Sequence, residues 1–366
     1  MNVKPLADIR REIDALDESL QSLLTKRASL AQAVADAKRA QAPDCTDFYR
    51  PEREAEVLRK VCDRNQGPLS NETLVFLFQE LMSACLALQK PLQIAFLGPL
   101  GTFSQVASQK HFGHSSEGVP VSTIEDVFRQ VESGRCDYGM VPVENSTEGM
   151  VSQSLDCFLT SQLMICGEVE LRIRHHLMGS GELDKKDLSG VERVLAHQQT
   201  LAQCRKWLDQ NLPSAERISL SSNAEAARQV RDDPQAVAIA AETAATEYGL
   251  DLLHCNIEDS HDNTTRFLVV GKQSPGASGQ DKTSLLVSTA NQPGALQTLL
   301  EPLARYQLSM TRIESRPSRR GMWDYVFFID IKGHQDDPDV SVALQELEER
   351  SAMLKVLGAY PVSIAV

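Results

Sequence analysis

Residues 92–105 read LQIAFLGPLGTFSQ, and at this point the character of the chain changes. Ile94, Ala95, Phe96 and Leu97 form an apolar run of strand length, and Gly98, Pro99 and Gly101 interrupt it. Small hydroxyl and amide side chains then open an amphipathic stretch, so the segment predicts a strand, a turn and a helix start. From here through TTRFLVVGK (264–272) short β-branched runs alternate with amphipathic stretches, the pattern of an α/β domain. Residues 1–90 differ: they carry helical periodicity, few glycines and no strand-like alternation, and are read as all-α. Beyond the α/β part, GKQSPGASGQDK (271–282) mixes Gly, Ser, Pro and charge and reads as a linker over 272–282. Residues 283–366 then follow the order strand, helix, strand, strand, helix, strand, an α+β ferredoxin-like unit. The expected units are therefore 1–90, 91–271 and 283–366.

Composition bounds the function. At 366 residues the chain holds two or three cores. A net charge of −13 argues against a general nucleic-acid or membrane binder, so an anionic ligand must be met by local cations. The 8 cysteines show no CxxC pair and no metal-type spacing, and are read as reduced thiols of a cytoplasmic protein. The first residues, MNVKPLADIRREIDALDESL, have no apolar signal core, and no later stretch reaches the roughly 18 apolar residues of a membrane span. His175 and His176 adjoin in a strand-like stretch, where alternation sends them to opposite faces, so they do not form a paired metal site. No metal and no cofactor is expected.

The N-terminal helix holds the first chemical signal. At about 100° per residue, Ile9, Ile13, Leu16, Leu20, Leu23 and Val34 share a stripe, with Arg27 and Lys38 near its centre. Arg10 projects roughly a quarter turn away. One copy of the helix does not aim all three cations at one small ligand, but a second subunit could supply the third.

The strings IRREIDALDESLQSLLTKRASLAQAVADAK, YRPEREAEVLRKV and FLFQELMSACLALQ resemble the three helices of the AroQ-type chorismate mutases, which form intertwined helical dimers. The resemblance implies that Arg10 of a partner chain, Arg27 and Arg53 contact the substrate carboxylates or the nearby hydroxyl region. It gives Lys38 and Gln89 the ether oxygen and Glu54 the ring hydroxyl. Arg50 stands where an acidic residue is common, and Cys85, a substrate-side position, where serine is common. The implied reaction, chorismate to prephenate, is pericyclic: it needs a dianion held in a reactive conformer and donors where charge grows on the ether oxygen.

In the α/β part, FLGPLGTFSQ, MVPVENSTEG, VLAHQQTLAQ and ISLSSNAEAA each place a hydroxyl- or amide-rich helix start after a strand. Taken singly these are ordinary caps, but several facing one cleft would bind carboxylates through free N–H groups. GPLGTFS, VPVENSTEG and NTTRF resemble signatures of the prephenate dehydratases, whose fold is a two-lobed, periplasmic-binding-protein-like cleft. HQQ at 197–199 departs from the more usual HPQ. The resemblance implies that Thr265 donates to the leaving hydroxyl and that Thr102, Asn145, Ser146, Gln199, Ser222 and Arg266 surround the substrate. For Arg266, a salt bridge that positions the loop is the alternative.

NQPGALQTLLEPLA and TRIESRPSRRGMWDYVFFIDI resemble an ACT regulatory domain. This implies an L-phenylalanine site at an interface between two such domains, with Asn291, Gly294, Ala295 and Leu296 on one wall and Glu314, Ser315, Arg316 and Pro317 on the other. The whole then reads as a feedback-inhibited mutase and dehydratase of phenylalanine biosynthesis, acting as a homodimer or higher homo-oligomer on chorismate and prephenate. A competing class is a metabolite-binding sensor whose cleft and ACT module report a ligand without turnover.

Overall fold

The computed structural model describes residues 4–41, 49–181, 183, 187–289, 292–317 and 325–363. Three helices come first: α1 (Leu6–Gln41), α2 (Pro51–Arg64) and α3 (Asn71–Ala87). Pro51 opens α2, where its missing N–H costs nothing, and the Ser70 side chain caps α3 by accepting from the Thr73 amide at 3.2 Å. The 36 residues of α1 include only one buried side chain, Ala35. Its apolar stripe stands in solvent within this chain, with Leu16 at 68% and Leu23 at 64% exposure. No described helix is long and apolar enough to cross a membrane.

Two α/β lobes follow. The first holds β1 (Gln93–Leu97), β2 (Glu117–Val121), β3 (Tyr138–Asn145), β4 (Gly149–Met150), β5 (Met164–Arg172) and, from much later in the chain, β11 (Thr264–Gly271). Their order is β2-β1-β3-β11-β5, with β4 on β3; β11 runs antiparallel to both neighbours. Helices α4 (Phe103–Phe112), α5 (Ile124–Glu132) and α6 (Ser152–Thr160) cover this sheet. The second lobe holds β6 (His176–Gly179), β7 (Arg193–His197), β8 (Glu216–Leu220), β9 (Ala236–Ala240) and β10 (Asp251–His254), in the order β10-β6-β9-β7-β8. Its helices are α7 (Gln198–Gln203), α8 (Arg205–Asn211), α9 (Asn223–Val230) and α10 (Glu242–Tyr248). The AVAIA strand β9 is buried along its whole length, as a central strand covered on both faces must be. The chain crosses between lobes twice, and the crossings bond to each other: Ile173 N–H donates to the Asn263 carbonyl at 2.8 Å and Ile257 N–H to that of His175 at 2.9 Å.

The C-terminal unit comprises β12 (Asp281–Ser288), α11 (Ala295–Arg305), β13 (Met310–Pro317), β14 (Tyr325–Lys332), α12 (Pro338–Arg350) and β15 (Met353–Pro361). The antiparallel order β13-β14-β12-β15 is the expected ferredoxin-like one. One face of this sheet buries Leu285, Val287, Ile329 and Ile331 under α11 and α12. The other face contributes Leu286, Val326, Phe328, Leu357 and Tyr360 to the same core as Phe158, Ile165 and Val270 of the first lobe. At Gly358 the contact is backbone to backbone: an added Cβ would lie 2.2 Å from the Ile165 carbonyl oxygen.

The stretch read as a linker is held in place. The Gln273 carbonyl accepts from the Cys166 thiol at 3.0 Å, the Pro275 carbonyl lies 3.2 Å from His334 Nε2, and the Asp281 carboxylate accepts from the Ser278 amide at 2.8 Å. Strand β12 already begins at Asp281. Gly, Ser and Pro free the backbone from regular structure, but its polar groups still find partners on either side.

Candidate active sites

The lobes enclose a cleft of about 800 Å³, and the strand-to-helix turns form its walls. Thr102 precedes α4 and anchors its hydroxyl on the Leu97 carbonyl at 3.1 Å. Ser222 caps α9, accepting from the Glu225 amide at 3.1 Å. Gln199 lies in the first turn of α7, and both Asn145 and Thr265 face the cavity from the adjacent strands β3 and β11. The structure thus brings Thr102, Asn145, Gln199, Ser222 and Thr265 to one space.

The hydrogen bonds among them define a direction. The Asn145 side-chain oxygen accepts from the amides of Thr147 at 3.0 Å and Glu148 at 3.1 Å, which locks the tight turn after β3. Its amide nitrogen is therefore left to donate, to Thr265 Oγ1 at 2.8 Å and Asn263 Oδ1 at 2.9 Å. A hydroxyl has one proton to give. Thr265 accepts from Asn145, so its own proton is available to an acceptor in the cleft.

Sequence reasoning missed the residues that extend this chain. His175 Nε2 lies 2.8 Å from Gln203 Oε1, and Asn263 Nδ2 donates to the same oxygen at 3.3 Å. His175, Gln203 and Asn263 all line the cavity. Burial lowers the His175 pKa below the usual histidine range, which keeps the ring neutral. Opposite faces for the two adjoining histidines allowed one of them to reach the cleft; Asn263 sat in the quoted NTTRF, whereas nothing local marked Gln203.

Two expected dehydratase residues lie elsewhere. Arg266 follows Thr265 on a strand, so it points to the opposite face, where its guanidinium is buried against Glu168 and Asp330 at 2.8 Å each. The guanidinium is held in these salt bridges, the alternative the sequence left open, and Arg266 is not among the residues that line the cavity. Ser146 lies outside the cavity: its hydroxyl accepts from the Thr264 amide at 3.0 Å and its own amide donates to the Thr264 carbonyl at 2.9 Å, bracing the start of β11.

In the helical unit a second cavity of about 560 Å³ brings together Arg27, Arg53, Glu54, Cys85 and Gln89, with Arg50 beside them. Arg27 Nη1 donates to Cys85 Sγ at 2.9 Å. From α1 this space is lined by Arg27, Leu30, Ala31 and Val34, and Lys38 is the next position in that spacing, half-buried. Arg10 is not brought in. It lies 17 residues before Arg27 on the same helix, about 25 Å along the axis, so only another chain could place it here.

Burial raises the Glu54 pKa to about 8. At neutral pH the carboxyl is protonated, so Glu54 adds no negative charge to a cavity lined by Arg27, Arg50 and Arg53. Above pH 8 it ionises, and for the chorismate rearrangement that the sequence resemblance implies, kcat/KM is expected to fall as a negative charge appears in the cavity. Glu54→Gln, which stays neutral, should flatten that alkaline limb; an unchanged limb would assign it to another group.

In the C-terminal unit Gly294, in the left-handed region at φ 79°, caps α11, and Ala295 and Leu296 begin that helix. Glu314, Ser315, Arg316 and Pro317 lie on the edge strand β13. Asn291 lies outside the described residues. Arg316 does not present a free guanidinium to an effector: its Nη2 pairs with Asp156 Oδ1 of α6 at 3.1 Å. Alternation on β13 turns it toward the lobe that its sheet covers.

The family models for chorismate mutase type II, prephenate dehydratase and the ACT domain match residues 9–90, 94–275 and 283–349 in that order. A bifunctional chorismate mutase/prephenate dehydratase of Stutzerimonas stutzeri is 50% identical over 361 residues, 98% of each chain. The chain belongs to this bifunctional mutase–dehydratase family. Among solved structures, a prephenate dehydratase of Arthrobacter aurescens in complex with L-Phe is 35% identical with a TM-score of 0.68, covering 74% of this mutase–dehydratase and 90% of that chain. A protein described as a novel type of quorum-quenching acylase is 31% identical, also with a TM-score of 0.68, over 74% of this chain and 98% of its own. Neither aligned length reaches the whole of this chain.

Proposed function

We propose that the chain converts chorismate to prephenate in the helical unit and prephenate to phenylpyruvate in the two-lobed cleft, under feedback inhibition by L-phenylalanine. The observation that carries the second step is the Asn145–Thr265 pair, which presents a hydroxyl proton inside a cleft bordered by helix starts. In that reaction the ring carboxylate leaves as carbon dioxide and its bonding electrons enter the ring. The C–O bond to the ring hydroxyl breaks, and a proton delivered to that oxygen lets it depart as water. Thr265 is a weak acid, so it acts as an oriented donor to the leaving oxygen. The free amides at the starts of α4 and α9 suit the substrate carboxylates.

The exposed apolar stripe of α1 supports a homodimer in which a second copy covers it and brings Arg10 to the mutase cavity. The free thiols support a cytoplasmic location. Following chorismate consumption and phenylpyruvate appearance by ultraviolet absorption tests both steps; ligand binding without phenylpyruvate would favour the sensor instead. For the effector, calorimetry on the full chain should detect L-phenylalanine. Leu296→Ala and Ser315→Ala should weaken that binding by about tenfold or more, since both side chains belong to the proposed walls and Ser315 lies on the exposed face of β13, and a lost contact of about 1.4 kcal/mol is tenfold in affinity. Unchanged affinity in both variants would move the effector site elsewhere.

A further inference from the structure

The two strands that hold the Asn145–Thr265 pair carry a second pair on their back faces. In the β3–β11 register Thr265 lies opposite Asn145 and Arg266 opposite Glu144. The first pair faces the cleft and the second faces the C-terminal sheet. Arg266 Nη1 is 2.8 Å from Asp330 Oδ2 on β14, and its Nη2 donates to the Tyr360 hydroxyl of β15 at 3.0 Å. Glu144 forms an ion pair with Arg312 of β13, whose Nε is 3.7 Å from the same Asp330 oxygen. Lys282 of β12 completes the cluster, 2.7 Å from both Glu168 oxygens.

Arg266, Glu168 and Asp330 are buried and hold together only while each is matched, because separating one leaves an uncompensated charge in a low-dielectric space, whereas Glu144 and Arg312 are half-buried at the edge of the cluster. The cluster therefore resists small relative shifts of the two sheets, and a shift that does occur is felt by the residue next to Asn145 and the residue next to Thr265. The edge strand β13 is suited to impose one. Arg312, Glu314 and Arg316 are half-buried, whereas Ile313, Ser315 and Pro317 between and after them are exposed. The strand carrying one wall of the proposed effector site thus also holds the ion pair to Glu144.

We propose that Glu144, Arg312, Asp330 and Arg266 are positioning residues of the dehydratase, a clasp through which β13 sets the Asn145–Thr265 geometry and transmits L-phenylalanine occupancy to the leaving-group donor. The positioning half stands on the cluster itself, and the regulatory half rests on the effector reading above. An effector acts on the cleft only by favouring one of two states of a shared element. The clasp is that element.

Full-length Arg312→Gln and Glu144→Gln test this, with mutase activity as the control for folding, since its site lies in other helices. Without L-phenylalanine, both should lose dehydratase kcat by about tenfold with KM nearly unchanged, the signature of a misplaced donor. With it, calorimetry should still detect binding while the concentration for half-inhibition rises by about tenfold or more, a typical allosteric coupling. Arg312→Lys should recover part of both. Parental kcat together with parental inhibition in Arg312→Gln would overturn the proposal. Loss of inhibition accompanied by loss of L-phenylalanine binding would also overturn it, by making Arg312 part of the effector site. A parental protein that binds no L-phenylalanine refutes the effector reading, and kcat alone then decides the positioning role.

Discussion

Thr265→Ala should lower dehydratase kcat by about 10²–10³-fold, the usual cost of removing one preorganised donor from a developing charge. The threonine hydroxyl is oriented by Asn145, whose own oxygen is locked into the turn after β3. The C–O bond is intact in the bound substrate and breaks in the transition state, so the loss belongs in kcat and KM should change little. Thr265→Ser should keep a substantial part of the rate, because it retains the hydroxyl; Thr265→Val keeps the shape and should be as slow as alanine. Mutase turnover in all three should match the parent. A fully active Thr265→Val would remove the residue from the leaving-group step.

The second large effect is expected at Lys38. Lys38→Ala should reduce mutase kcat by about 10²-fold or more, since a cation beside the ether oxygen acts where negative charge accumulates in the transition state. The helix supports this placement: Arg27, Ala31 and Val34 line the mutase cavity, and position 38 continues their face. Dehydratase activity should stay at the parental level, because its cleft is built from other elements. Equal loss of both activities would instead mean that the substitution damages the shared fold.

Much of this architecture was legible because local rules and global fold agree. The apolar run at 94–97 and the glycines after it are strand β1 and the turn into α4, and the sheet of the last unit has the ferredoxin-like order read from its succession of strands and helices. The cleft residues were legible at the strand ends, where polar side chains have no reason to sit unless they face an opening. Arg266 was left between substrate contact and a salt bridge even though the period of two places it behind Thr265. Its partner Asp330 is remote in sequence, and a motif read as a string hides which side of a strand each letter occupies. Arg316 went the same way, drawn to Asp156. His175 became informative only once Gln203 and Asn263, brought in from a helix and a return crossing, gave it neighbours.

The absence of a side chain at 358 bears on how such a protein can be rebuilt. Since a single methyl there would meet the Ile165 carbonyl, the seam between regulatory and catalytic sheets is a fitted joint and not a socket that accepts any compatible module. Exchanging regulatory units between relatives by cutting at the tether would then join surfaces that never adapted to each other. A hybrid should keep its function only where both sides of the joint, the strand bearing Ile165 and the strand bearing Gly358, are inherited from one parent.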